Sequence, residues 1–282
     1  MATTAGKPRI AVLGMGIIGS RAAGKLAAAG FDVRTWNRTP REEDEPDLRT
    51  AAESAGLIAM YLKDVPAVRA VFESLRPVLG PGKVLLNHAT IDLATTAFLE
   101  EECARCGCGF LNAPFTGSKV AAGKGELVYY VGGPAGLLED LRPVLEATSR
   151  EILPVGPPAA ATILKLTTNL ISACTVQALA EALRLCNAHG VDSPTLLAAV
   201  ERNACHSVLA GMKIPGMAAG DFDPHFSLSN MLKDARYALD LAAQAGVETP
   251  GIATTADQMQ ALCDSGHGEM DFSVLYRQFK DA

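Results

Sequence analysis

Two residues near the middle of the chain have the spacing of a reactive pair. Lys165 and Asn169 lie four apart in GPPAAATILKLTTN, residues 156–169. On a helix they share one face, with Thr162 and Ser172 on the same side. Ile163, Leu164 and Leu166 flank the lysine, and a lysine in so apolar a run either snorkels to water or does chemistry. Near the N-terminus, Gly14-Met15-Gly16-Ile17-Ile18-Gly19 is a G-x-G-x-x-G that follows the apolar run 9–13. Gly14 allows a tight turn, Gly16 lets a pyrophosphate approach the backbone, and Gly19 lets the next helix pack close to the strand. The helix N-terminus adds N–H groups and positive partial charge. With a strand before it, a helix after it and a second strand at 33–36, the motif reads as a dinucleotide site.

The tip of that second strand chooses between dinucleotides. An NAD site usually carries Asp or Glu about 20 residues beyond the glycines to hold the ribose hydroxyls. Here the strand ends in Asn37-Arg38-Thr39 with no carboxylate at its tip, and an Arg with a Thr hydroxyl suits a 2′-phosphate. NADP(H) is therefore expected in preference to NAD(H). Two more strands end in polar loops, Asn87-His88-Ala89-Thr90 and NAPFTGSK at 112–119; such loops at one edge of an open sheet are where ligands bind. His88 reads as a packed or solvated histidine, with a site role as the alternative. Cys103, Cys106 and Cys108 have the look of a metal knuckle, but no fourth Cys or His follows at ligand spacing. Together with Gly107 and Gly109 they read as a helix end leading into a strand, and no metal is expected.

The elements that must carry these residues alternate. Strands are expected at 9–13, 33–36, 57–62, 84–86, 110–111, 126–131 and 151–155, with helices ending at 29 and 75 and spanning 92–106 and 135–147. Asp64 and Asp92 are placed as helix caps, and 112–119 as a turn. The acidic, Pro-bracketed segment PREEDEPD at 40–47 leaves little room for a full helix and third strand before 57, so this second unit is abbreviated. Alternating strands and helices mean a doubly wound, mostly parallel sheet. After 156 no strand is evident. The run 157–189 is a helix of about 30 residues, near 45 Å long, followed by helices at 194–203, 208–219, 227–245, 250–265 and 271–279. The expected architecture is an α/β Rossmann domain over 1–156 and an all-α domain over 157–282, joined by the long helix that carries Lys165.

Composition narrows the partners. The 282 residues are 49% apolar and 20% charged with a net charge of −6, and no Lys/Arg run exceeds two residues; nucleic acid and anionic membranes are poor partners. The first residues lead straight into a strand without a signal-peptide apolar region, and no run is expected to reach the length of a membrane-spanning helix. Seven scattered cysteines fit a reducing compartment, and a cytoplasmic location is expected.

Together these residues resemble the β-hydroxyacid dehydrogenase family, the group of 3-hydroxyisobutyrate dehydrogenases and glyoxylate/succinic semialdehyde reductases. The likeness covers nearly the whole chain. It rests on GMGIIG at 14–19, on WNRTP at 36–40 (like the NADP-using reductases of the group) and on LKDVPAV at 62–68. It continues in NAPFTGSKVAAGKGELVYYVGG at 112–133, similar to the family's substrate loop, in Lys165 with Asn169, and in FSLSNMLKDARYAL at 226–239. There Lys233-Asp234 matches the family's C-terminal lysine–aspartate pair. The resemblance implies that Lys165 donates a proton to a carbonyl oxygen and that Asn169 orients it. It implies that Thr116, Gly117 and Ser118 hold a substrate carboxylate. Around the cofactor it places the residues from Gly14 to Gly19, Asn37, Arg38, Thr39, Leu62 and Thr90, with Lys233 against the cofactor near the substrate. The chemistry is consistent: hydride delivery leaves an alkoxide that an ammonium can stabilise and protonate, and a Gly-containing turn with two hydroxyls suits an anion. The implied activity is NADP(H)-dependent hydride transfer to or from a small β-hydroxy acid or aldehydo/keto acid, of glyoxylate or semialdehyde type. The implied assembly is a homodimer or higher homo-oligomer, since an Ala-rich long helix needs more cover than one small sheet gives.

Several positions depart from the family pattern. Thr116 stands where Ser is usual and Asn112 where Asp is usual; His88-Ala89-Thr90 replaces Met-Ser-Thr, and Ala159, Ala160 and Ala161 replace glycines. The 40–56 region is shorter. Cofactor chemistry survives these changes, whereas substrate identity is what they alter. An imine reductase-like activity is the alternative favoured by the altered loop at His88, Ala89 and Phe115; such enzymes share the two-domain build but generally lack the lysine, so Lys165 argues against it. A non-catalytic cofactor-binding or scaffolding role is the third reading, against which Lys165 and Asn169 both speak.

Overall fold

In the computed structural model, which describes residues 8–279, four short parallel ladders set the frame. Strands and helices alternate as β1 (Ile10–Leu13), α1 (Ile17–Ala28), β2 (Val33–Trp36), α2 (Leu48–Glu53), β3 (Leu57–Met60), α3 (Val65–Leu75), β4 (Val84–Asn87) and α4 (Leu93–Cys106). Then come β5 (Gly109–Asn112), β6 (Phe115–Thr116), α5 (Lys119–Lys124), β7 (Leu127–Gly132), α6 (Ala135–Glu146) and β8 (Ser149–Gly156). The sheet order is β2-β1-β3-β4-β5-β7-β6, with β8 also on β7. The ladders from β2 to β5 are parallel, β7 runs antiparallel to β5 and β6, and β8 is parallel to β7. This is the expected doubly wound, mostly parallel Rossmann sheet.

Alternation within the strands fills both faces, as a parallel sheet requires. Ile10 and Val12 join Ala23, Leu26, Leu138 and Val144 on one side. Ala11 and Leu13 join Val68, Phe72, Leu75 and Leu99 on the other. Asp64 and Asp92 cap α3 and α4 by accepting from Ala67 N and Thr95 N. Gly107, at φ +71°, ends α4 in the left-handed conformation, so the Cys103–Cys108 segment is a helix end. Among the described residues no cluster of three His, Cys, Asp or Glu side chains could hold a metal ion.

The abbreviated second unit is real. Only the six-residue helix α2 and the three residues 54–56 separate the 40–47 turn from β3, and β2 is the last strand on its side of the sheet. Two polar devices hold so short a helix. Asp47 accepts from Thr50 N at 2.8 Å at its start, and the Lys83 ammonium donates to the carbonyls of Ala52, Glu53 and Ala55, each at 2.8 Å, at its end.

Beyond β8 the chain is helical: α7 (Pro158–Ala188), α8 (Ser193–Glu201), α9 (Val208–Ala219), α10 (Leu228–Gln244) and α11 (Pro250–Leu262). Ala173, Val176, Ala180 and Leu183 form a stripe on α7 at helical spacing. They pack with Ile214 and Met217 of α9, Leu228 and Met231 of α10, and Ile252 and Met259 of α11. The molecule divides into two compact units between Lys165 and Leu166, two turns inside α7.

Three expectations need correction. The segment 112–119 is not a simple turn but contains β6 and leads into α5, which Ser118 caps and Gly125 ends at φ +77°; both elements are too short to leave a periodic signal. Residues 263–267 leave the α-helix as a π turn and Phe272–Gln278 is a 3₁₀ segment. Finally, α7 holds an 18-residue window of mean hydropathy 1.3, long and apolar enough to cross a membrane. Its apolar stripe is part of the helical core, and the helix bears Lys165 and Asn169.

Candidate active site

Register builds the site. Leu13 pairs with Trp36 and Met60, Met60 with Asn87, and Asn87 with Asn112. Five strands therefore end in one row, and the segments that follow them emerge along a single carboxyl edge, the ligand edge of such sheets. At β1 the chain turns through Gly14 at φ +98°, where a Cβ would collide with the Tyr61 carbonyl; a Cβ on Gly19 would collide with the Gly14 carbonyl. A Cβ on Gly16, by contrast, would meet no atom within 4 Å. Gly16 also starts α1 without a side-chain cap, so the first N–H groups of the helix are left for a ligand. An open cradle lined by N–H groups fits a dinucleotide pyrophosphate. Around it Met15 is buried in the core, Ile18 is half-buried and Ile17 is exposed.

The turn after β2 is tied to this cradle. Asn37 Oδ1 accepts from Met15 N at 3.2 Å and its Nδ2 donates to Thr39 O at 2.9 Å. Arg38 and Thr39 are exposed beside it. Sequence reasoning missed Arg41, whose guanidinium donates to the Met15 carbonyl. It also missed Asp44, a buried carboxylate accepting from Thr35 Oγ1 at 2.7 Å and Arg41 N at 3.0 Å. The contacts to Met15 and Thr35 have no local signal, because both depend on the turn folding back along β2.

Leu62 and Thr90, both half-buried, follow β3 and β4 at the same edge. Between them His88 is packed, at 3% exposure. Its ring stacks on Tyr61 at 4.3 Å between centroids, and Nδ1 lies 2.7 Å from the Ala113 carbonyl. Burial lowers its pKa to about 4, against the raising effect of that hydrogen bond, so the ring is neutral and Nδ1 is the donor. Below it Tyr61 and Tyr129 share a hydroxyl contact of 2.9 Å, and Tyr129 reaches Thr148 at 3.0 Å. Burial pushes both phenols above their ordinary value.

In the loop assigned to the substrate carboxylate, Thr116 and Gly117 are exposed. Gly117 has φ +139°, and Ser118 Oγ accepts from Ala121 N at 3.3 Å. The Ser118 hydroxyl is thus a helix cap with its proton left to donate. Lys165 is 9% exposed and lies two turns into α7. The first turn of that helix is fixed by Asn112, whose Nδ2 donates to Pro158 O and to Thr162 Oγ1, both at 2.9 Å. One helical turn beyond Lys165, Asn169 Nδ2 donates to Asp234 Oδ2 at 2.6 Å. Lys233 Nζ donates to Asp234 Oδ1 at 2.5 Å. Asp234, 1% exposed on α10, joins two assigned residues; the sequence matched it to the family's lysine–aspartate pair but gave it no role.

A dinucleotide cradle at the carboxyl edge of a Rossmann sheet, followed by an all-helical unit, defines a nicotinamide-dependent oxidoreductase class. Two families match in tandem: the NAD binding domain of 6-phosphogluconate dehydrogenase over residues 9–156, and the NAD-binding domain of NADP-dependent 3-hydroxyisobutyrate dehydrogenase over 159–279. The chain belongs to the β-hydroxyacid dehydrogenase family. That class comprises NAD(P)-dependent hydroxyacid dehydrogenases and reductases. Glyoxylate/succinic semialdehyde reductase 2, chloroplastic, of Arabidopsis thaliana is 29% identical over 98% of this chain and 81% of that protein. An NAD-dependent L-serine dehydrogenase of Pseudomonas aeruginosa is 26% identical over 96% of this chain and 97% of that protein. The fold is shared with the Mycobacterium tuberculosis 3-hydroxyisobutyrate dehydrogenase solved with L-serine, at TM-score 0.89 and 24% identity over 98% of this chain and 100% of that one. An imine reductase from Pseudomonas sp. shares it at TM-score 0.65 and 20% identity over 96% and 99%.

Proposed function

We propose that this protein is an NADP(H)-dependent oxidoreductase interconverting a small aldehydo- or keto-carboxylate, of the glyoxylate or semialdehyde type, and its hydroxy acid. The observation that carries the reading is Lys165, 9% exposed, on the turns of α7 that Asn112 holds. A bound nicotinamide supplies or accepts the hydride. In the reducing direction Lys165 polarises the carbonyl oxygen and then gives it a proton. Asn169, one turn along the same helix, directs the lysine, and Asp234 restrains both Asn169 and Lys233. Thr116, Gly117 and Ser118 take the carboxylate on N–H groups and hydroxyls. Preference for NADP(H) is supported by exposed Arg38 and Thr39 at the tip of β2, while Asp44 is occupied by Thr35 and the Arg41 amide.

The name of the Arabidopsis relative supports a semialdehyde-type substrate. Lys165, which imine reductases generally lack, weighs against imine reduction. Ile171 and Leu185, 62% and 63% exposed on α7, support a homodimer or larger assembly. Seven free cysteines support a reducing compartment such as the cytoplasm. The test is a turnover screen with NADPH and NADH against glyoxylate, succinic semialdehyde, tartronate semialdehyde and a cyclic imine. Turnover of at least one carbonyl acid, faster with NADPH, is expected; turnover of the imine alone would overturn the reading.

A further inference from the structure

The contacts around Asn112 form a chain in which each hydrogen has one place to go. Asn87 Nδ2 donates to Asn112 Oδ1 at 2.9 Å and to Ala89 O at 3.1 Å, while its Oδ1 accepts from Ala89 N at 3.2 Å. Both protons of Asn112 Nδ2 are used, on Pro158 O and Thr162 Oγ1. Thr162 lies 2.7 Å from Thr96 Oγ1, and Thr96 donates to Asp92 O at 3.0 Å. The Thr96 proton is therefore spent, so Thr162 must donate to Thr96 and accept from Asn112. Donation runs one way, from Asn87 through Asn112, Thr162 and Thr96 to the Asp92 carbonyl. The four side chains are 0%, 0%, 2% and 1% exposed, so no water substitutes for a missing member.

We propose that Asn112 is a positioning residue for Lys165: through Pro158 and Thr162 it fixes the first turns of α7 on the ends of β4 and β5 and thereby sets where the lysine amine stands at the carboxyl edge. Thr162 and Lys165 are three apart on α7, hence on one face. The compact sheet unit ends at Lys165, which is where an anchor at the helix start would end it. Asn112 also explains a departure from the family pattern. An ionised Asp could not donate to both Pro158 O and Thr162, whereas the amide completes the chain without burying a charge. The effect expected on turnover rests on Lys165 being the proton donor; the placement itself does not.

Two shape-conserving variants, Asn112→Leu and Thr162→Val, test it, with Val144→Ala, a buried site on α6, as the stability control. Steady-state kinetics use the carbonyl acid found by the screen. A second readout needs no turnover: ¹³C-dimethylated lysines observed by NMR, with the Lys165 signal assigned by its loss in Lys165→Arg. Thr162→Val should lower kcat about tenfold and Asn112→Leu about thirtyfold, with KM and the NADPH Kd within about threefold of the parent, the pattern of a misplaced catalytic group. The Lys165 resonance should move in both, and in Val144→Ala only the melting temperature should fall. Should Asn112→Leu fail to fold, Thr162→Val carries the test alone. An unmoved Lys165 resonance in Thr162→Val would overturn the anchor whatever the rates. Retained turnover in Lys165→Ala would instead sink the proton-donor reading and leave the resonance test to decide the anchor.

Discussion

The sheet unit and the helical unit each contain a buried polar node, built from opposite materials. Around Asn112 every member is neutral and every hydrogen is directed. Around Asp271 the node is an ion pair. Lys213 Nζ donates to Asp271 at 2.6 Å, with the two side chains 5% and 3% exposed. Asp271 also accepts from Ser273 N and Oγ, His225 N and Phe226 N. Burial raises its pKa, but Lys213 and Ser273 lower it more, and the carboxyl ends below its ordinary value. A neutral chain has no charge to desolvate, and losing one member costs about 1–3 kcal/mol for the buried group left unpaired, so it can hold a reactive helix finely without a charge at stake. A buried ion pair tolerates less: removing one partner leaves a naked charge. The first suits placing a side chain, the second suits clamping the 3₁₀ segment at 272–278 onto α9.

The largest expected effect falls on the lysine carried by the neutral node. Lys165→Ala should abolish measurable turnover while NADPH still binds, since general acid catalysis alone is worth about 10²–10⁴-fold and loss of the polarising charge adds to it. Single-turnover rates and an NADPH titration decide it; a kcat within about threefold of the parent would remove Lys165 as the acid.

Next comes the direct contrast of the nodes. Lys213→Ala should cost about 3–5 kcal/mol in urea unfolding, against about 1–3 kcal/mol for Thr162→Val. Equal losses would erase the distinction.

Acid should separate them further. His88, beside the neutral node, has a folded pKa near 4 against 6.5. Below 6.5 the unfolded chain takes up a proton that the folded ring refuses, so stability falls as pH falls through that window, by up to about 3 kcal/mol. The Asp271 contribution is present above 3.8 and is lost only as pH falls below it. His88→Leu should therefore flatten the stability profile between 6.5 and 4 and leave the steeper loss below. An unchanged slope in that variant would show that other groups carry the upper window.

The smallest effect belongs to an exposed contact. Arg38→Ala should lower the NADPH-over-NADH preference several-fold, a charge-assisted hydrogen bond of roughly 1.5–3 kcal/mol being reduced by solvent. Paired dissociation constants check this, and equal values in the parent would refute the preference itself.

What could be read from the sequence followed local chemistry. The glycine motif, the aspartate caps and the long apolar helix each announce themselves within a few residues, and all stand in the structure where expected. The missed parts are of two kinds. Strand β6 and helix α5 hold two and six residues, below the length at which a period shows, although Ser118 and Gly125 do mark the helix ends. The polar nodes join residues 46 and 50 apart at Asn112 and 58 apart at Asp271. No spacing rule reaches so far, and an Asn or Asp beside apolar neighbours reads equally as a loop.

The abbreviated second unit also bears on solubility. Because β3 returns to the far side of β1, β2 ends the sheet, and an unpaired strand edge is a template on which like chains aggregate. The turn that follows closes that edge: Glu45 N donates to Thr35 O at 2.8 Å, and Arg34 pairs with Glu45 at 3.1 Å. Pro40, Glu42 and Glu43 stand exposed along it, so a second copy's strand would meet a proline and a negative fringe before it met a free carbonyl. The residues that make this unit too short for a third strand are the ones that keep its last strand solitary.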